Sequence, residues 1–309
     1  MKLVFKRFAF ILLAILILTG WVGSPIALLA GFGFSLLFDN PFKRFCHKSI
    51  QLLLKVSVVG LGFGMFINET IEAGKEGFLL TFLSILLTVS LGFLLTKLLG
   101  LDKKLGHLIT SGTSICGGSA IAAISPVINA RSKAISIALA VVFLLNSIAL
   151  FVFPAVGHFF GLNQHQFGLW CAVAIHDTSS VVGAALEYGD EALQVATTVK
   201  LSRMLWILPL SVLSMFVFKA KGEKIKAPYF ILFFIGAIII NSYHLLPETL
   251  TKTLVITSKH LLLLTLFLVG STISISELKQ TGIRPLVMAS SLWIFISVLS
   301  LGLIIYQLV

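Results

Sequence analysis

Gly112-Thr113-Ser114-Ile115-Cys116-Gly117-Gly118-Ser119-Ala120 and Ala174-Ile175-His176-Asp177-Thr178-Ser179-Ser180 decide how this chain folds, because both interrupt stretches that are otherwise apolar. A plain lipid-facing helix would carry Leu and Val at these positions. Glycines, hydroxyls and ionisable groups there mark discontinuous helices. Transporters use such breaks because opening a helix at mid-membrane frees backbone N–H groups and a positive half-helix end to hold an anion away from lipid.

Around these two segments the chain is far too apolar for water. Of its 309 residues 58% are hydrophobic and 11% charged, with a mean hydropathy of +1.06. A span needs about 20 apolar residues, and apolar stretches run over residues 8–22, 25–38, 49–67, 77–95, 107–128, 134–154, 167–186, 195–218, 229–246, 259–275 and 285–308. They lack the alternation of a barrel, so they predict an all-α polytopic membrane protein. No length remains for a soluble domain. That excludes a soluble enzyme, a nucleic-acid module and a receptor ectodomain, and leaves transport, channel or intramembrane chemistry. Residues 1–22 look like a signal peptide, but a second apolar stretch follows at once, so 1–38 reads as an uncleaved first hairpin.

The formal net charge of +11 reports topology. Five basic clusters (Lys2, Lys6, Arg7; Lys43, Arg44, Lys48; Lys97, Lys103, Lys104; Lys219, Lys221, Lys224, Lys226; Lys279, Arg284) alternate with acidic connections carrying Glu69, Glu72, Glu76 and Glu187, Asp190, Glu191. The basic loops and the N-terminus are expected in the cytoplasm, with no nucleic-acid partner. If 107–128 crosses the membrane, Arg131 and Lys133 fall outside, against the trend. If both broken segments are re-entrant hairpins, every basic loop falls inside. The span count is therefore nine to eleven.

Weak internal repetition points to a carrier built as inverted repeats, about 24–157 and 165–309, within one transmembrane domain. Val59 to Gly64 with its following span resembles Leu268 to Ile273 with its own. Cys116 to Ile128 and His176 to Leu186 are each a polar break followed by an Ala-rich half-helix and a long apolar span.

Lys200 and Arg203 are the most informative charges. Residues 204–218 number fifteen and span about 22 Å at 1.5 Å each, too short to cross, so both cations lie inside the helix. A centrally placed charge costs about 2.5–3.5 kcal/mol even on gentle insertion scales. Three residues apart, the two share a face. Either that face lines a cavity and supplies positive charge to an anionic substrate, or the pair reaches the headgroups or neutralises Asp177. His176 and Asp177 are candidates for ion coupling, to H+ or Na+, because an imidazole and a buried carboxylate both titrate near neutral pH; the structural alternative is that Asp177 caps the half-helix starting near Thr178 and His176 bonds a carbonyl. Ser114, Cys116, Gly117, Gly118 and Ser119, with Thr178 and Ser179, are candidates for the anion seat, offering hydroxyls and a backbone nest; a tight helix crossing needs the same small residues. Cys46, Cys116 and Cys171 have no paired spacing, so neither a disulfide scaffold nor a cysteine metal site is expected. No metal-protease, P-loop or dinucleotide motif occurs, and no cofactor or metal is expected. Lys55, Asn146, Asn241 and His244 are lesser polar groups within apolar runs.

Ser114-Ile115-Cys116-Gly117-Gly118-Ser119-Ala120-Ile121-Ala122-Ala123, Ile175-His176-Asp177-Thr178-Ser179-Ser180-Val181-Val182 and Ala196-Thr197-Thr198-Val199-Lys200-Leu201-Ser202-Arg203 together resemble the bacterial membrane proteins termed sulfate exporters. The resemblance covers nearly the whole chain, and departs from the family pattern at Ser202, where threonine is usual. It implies the fold of the superfamily that holds bile-acid symporters and cation/proton antiporters, with five-helix inverted repeats and broken helices at the centre. The expected function is secondary export of a small anion, sulfate or sulfonate-like, across the bacterial inner membrane. A homodimer is compatible with this. A cation/proton antiporter using Asp177, an intramembrane enzyme using Cys116 and a passive anion channel are the alternatives.

Overall fold

In a computed structural model the described residues are 2–38, 40–218, 230–272 and 282–306, and they are helical throughout, with no strand among them. The helices are α1 (Lys2–Leu18), α2 (Ser24–Phe38), α3 (Lys43–Leu61), α4 (Ile67–Leu98), α5 (Lys103–Ser114), α6 (Gly118–Val127), α7 (Ser132–Phe159), α8 (Gln164–Ala174), α9 (Thr178–Tyr188), α10 (Asp190–Met204), α11 (Ile207–Phe218), α12 (Phe230–Ser242), α13 (Glu248–Thr272) and α14 (Ile283–Ile305), with a 3₁₀ turn at Gly62–Gly64. Among the described residues, five stretches are long and apolar enough to cross a bilayer alone: α4, α7, α10 with α11, α13 and α14. Their outer faces expose large apolar side chains such as Phe78, Phe82, Leu86 and Phe93 on α4, which suits lipid and not water. The chain is thus an all-α polytopic membrane protein.

Several helices run past the apolar stretches. α4 begins ten residues before the expected span and α13 eleven, so Glu69 and Glu72 stand on helical turns and not in a loop. The reason is that a helix continues through the headgroup zone, where polar side chains cost nothing. α10 and α11 part at Leu205-Trp206, one turn before Pro209, which has no N–H to give the carbonyl of Leu205; that carbonyl accepts instead from the Leu208 N–H at 3.1 Å, a tighter turn that separates the two helices. Lys219, Lys221, Lys224, Lys226, Lys279 and the end of the last expected span lie outside the described residues, as do the side chains of Lys2, Arg44 and Glu76.

Both broken segments double back. Lys104 Nζ, in the first turn of α5, donates to the carbonyl of Asn129, just beyond α6, at 2.8 Å. At the other hairpin, Gln164 Oε1 at the start of α8 accepts from the Glu191 N–H, past the end of α9, at 3.1 Å. The two ends of each segment therefore lie side by side. α5–α6 and α8–α9 are re-entrant hairpins, which brings Lys103 and Lys104 to the side of Arg131 and Lys133. Glu69, Glu72 and Glu191 meet around one cavity on another face.

Each hairpin has its own apolar surroundings. α8–α9 is embedded through Phe167, Trp170, Val181 and Val182, while α5–α6 is embedded through Leu108, Ile109, Ile121 and Ile124. α5 seats on α4 through two reciprocal close approaches. A methyl on Gly92 would lie 2.2 Å from Thr110 Oγ1, and one on Gly106 the same distance from Thr96 Oγ1. Interlocked backbones of this kind take the place of a hydrophobic driving force within lipid.

Candidate functional site

The two hairpin tips meet. Ile115 leaves α5, and Gly117, at φ +61° and ψ −123°, reverses the chain into α6 while its N–H bonds the Gly112 carbonyl at 2.8 Å. That backbone conformation suits glycine alone. A Cβ at Gly117 would lie 3.2 Å from the Asp177 Cα and 3.3 Å from its N, so the first tip rests directly on the second. There Ile175 and Asp177 are extended, and Asp177 caps α9: its carboxylate accepts from the Ser179 N–H at 3.1 Å and from the Ser179 hydroxyl. The capping anticipated from the sequence is present.

A third element holds the second tip. Asn146, mid-way along α7, accepts through Oδ1 from the His176 and Asp177 N–H groups at 3.0 and 3.2 Å. The sequence ranks Asn146 low because one amide gives no sign of which helix it will meet. Its position in the 28-residue apolar α7 was the available signal.

The cations of α10 complete the arrangement, and neither reaches the headgroups. Lys200 is fully buried and spends its three donors on main-chain oxygens: Ile175 at 2.7 Å, Ile115 at 3.1 Å and Ala172 at 3.2 Å. Arg203, equally buried, donates from Nε and Nη2 to the Ser114 carbonyl at 3.0 and 2.5 Å. These carbonyls terminate α5 and α8, whose ends carry partial negative charge and lack helical partners. One lysine thus clasps both hairpins. Its charge acts on the centre without a donor left over, whereas Arg203 Nη1 is buried and without a hydrogen-bond partner among the described residues.

The remaining anticipated residues surround this clasp. Cys116 and Gly118 are buried, and Ser119 is half-exposed. Gly117 gives α6 no side-chain cap. Ser114 turns its hydroxyl back to the Ser111 carbonyl at 3.3 Å. Thr178 Oγ1, both His176 ring nitrogens and Asn146 Nδ2 are buried without partners among the described residues. Asp177 is only partly buried. Lys55 lies over the Phe230 ring at 6.0 Å and Asn241 bonds the Met65 carbonyl at 3.1 Å, both away from the clasp. No group of three or more His, Cys, Asp or Glu among the described residues is disposed to hold a metal ion.

Two cavities open beside α10. One, of about 440 Å³, lies between α4, α8 and α10 and reaches Thr198; the other, of about 400 Å³, lies toward α13 and reaches Thr197. Gln194 lines both and donates to the Gly64 carbonyl at 3.1 Å.

A family model described as conserved hypothetical protein 698 matches residues 7–289. Among similar proteins, a UPF0324 membrane protein of Photobacterium profundum is 49% identical over 96% of this chain and 91% of its own length. Those of Bacteroides thetaiotaomicron (46%, over 93% of this chain and 88% of that one) and Shewanella oneidensis (47%, over 97% and 95%) bear the same description. No solved structure matches.

Proposed function

The chain belongs to the conserved hypothetical protein 698 family, and we propose that this bacterial membrane protein is a secondary transporter exporting a small inorganic or sulfonate-type anion. The observation that carries the reading is the spare donor of Arg203, Nη1, buried and unpaired among the described residues, in a centre where α6 presents an amino end without a side-chain cap. A buried cationic N–H without a partner is costly, and an oxyanion is the group that best relieves it. Ser119 and Thr178 add hydroxyls, Gly117 and Gly118 let the ligand approach the main chain, and Lys200 adds charge from behind. His176 and Asp177 stand at the second tip, where a proton or sodium ion would couple to the anion. By the positive-inside bias, the side with Lys103, Lys104, Arg131 and Lys133 faces the cytoplasm.

The test is flux in liposomes holding purified protein, using labelled sulfate and a short alkyl sulfonate under an imposed proton or sodium gradient. Uptake is expected in the wild type and its loss in Arg203→Gln. Undiminished flux in that variant refutes the seat. The partly exposed Asp177 favours cation/proton exchange as the second reading; sodium-driven proton movement with no transportable anion present would select it.

A further inference from the structure

The cavity reaching Thr198 is unlike its neighbour in charge. Glu69, Glu72 and Glu191 line it, and among the described residues His165 is the one basic side chain on its wall, 3.9 Å from Glu191. Lys75 is exposed in an adjoining shallow groove with Glu72. The neighbouring cavity balances its charges, Lys259 with Asp190 at 2.5 Å and Lys252 with Glu248 at 2.7 Å. Anionic walls around one opening concentrate cations there. At the inner end Thr198 is 6% exposed and its hydroxyl has no hydrogen-bond partner among the described residues. This threonine stands on α10, the helix that also carries Lys200, so the cavity runs from the acidic face in to the helix that holds the clasp.

We propose that this vestibule binds a singly charged inorganic cation of the alkali class, drawn in by Glu69, Glu72 and Glu191 and received at its inner end by the Thr198 hydroxyl. Two features select the class. No three carboxylate, imidazole or thiol groups among the described residues are disposed to chelate a divalent ion. The wall also offers neutral oxygens, from Thr70, Gln194 and Thr198, which coordinate a hard cation but do not take up a proton. The inference rests on the transport reading only in making this the ion whose gradient drives the anion.

The experiment is thermal unfolding of the purified full-length protein in sodium chloride against choline chloride at constant ionic strength, repeated at pH 6 and pH 8. An ion bound only by the folded form raises the midpoint. Sodium is expected to raise it where choline does not. The combined Glu69→Gln, Glu72→Gln, Glu191→Gln variant should weaken apparent sodium affinity about tenfold, Thr198→Val should weaken it, and Thr198→Ser should keep it. Equal response to sodium and choline, a midpoint that follows pH alone, or a triple variant with unaltered sodium response overturns the proposal. Should the triple variant fail to fold, an unaltered sodium response in Thr198→Val does the same. Labelled-anion flux separates the two claims. Sodium binding with no anion flux would overturn the transport reading and leave the vestibule, whereas flux indifferent to sodium, with no sodium binding, would overturn the vestibule alone.

Discussion

Lys200→Met separates a clasp from a ligand-binding charge. Methionine keeps the length and much of the volume of lysine but removes the three donors, leaving the Ile115, Ala172 and Ile175 carbonyls facing an apolar group. A buried acceptor that loses its partner costs about 1–3 kcal/mol, or roughly 3–9 kcal/mol for three. The substitution also removes a buried cation whose desolvation is itself worth several kcal/mol, which offsets part of that loss. The carboxyl end of α8, with about half a negative charge, then loses its cation while that of α5 keeps only Arg203 on the Ser114 carbonyl, which restores the destabilising sign. The expected net loss is about 3–5 kcal/mol, the range seen when one member of a buried charged network is removed. The assay is reversible unfolding of purified protein in mixed micelles, with anion flux measured on the same preparations. Stability and flux should fall together. Wild-type stability with abolished flux would refute the clasp and return Lys200 to the substrate.

Two further outcomes test the geometry that the clasp depends on. Cysteines placed singly at Lys104 and Asn129 should react with an impermeant maleimide from the same side of the membrane and one at Gln164 from the other, the native Cys46, Cys116 and Cys171 being buried; labelling of 104 and 129 from opposite sides would show that α5–α6 crosses. Gly117→Ala forces a side chain into a conformation costing about 1–3 kcal/mol and presses its Cβ to within 3.3 Å of the Asp177 backbone, so it should lower both melting point and flux; an unchanged melting point would mean that the tips do not touch.

Much of the candidate site is legible in the sequence because lipid penalises polarity. Against a background of Leu, Ile and Phe, the residues Gly117, Gly118, His176, Asp177, Lys200 and Arg203 stand out individually, and each lies at or next to a tip of the two hairpins. What they bond was not legible. Lys200 and Arg203 satisfy carbonyls, and every residue contributes a carbonyl, so composition holds no trace of the partner. Asn146 ranks only as a lesser polar group in the sequence, and Thr197 and Thr198 carry no role there, for a related reason: each is an ordinary polar residue until a neighbouring element approaches it.

From the chain of residues alone came the helical membrane class, the two breaks and the positions of the charges, since these follow from the local cost of placing polar groups in hydrocarbon. Whether a broken segment crosses or turns back required coordinates. Both paths have the same hydropathy, and only Lys104 beside Asn129 and Gln164 beside Glu191 distinguish them. Tertiary structure likewise decided that one ammonium joins helix ends 60 residues apart in the chain, at Ile115 and Ile175, because a main-chain oxygen becomes a partner through its place in space and not through the side chain it carries.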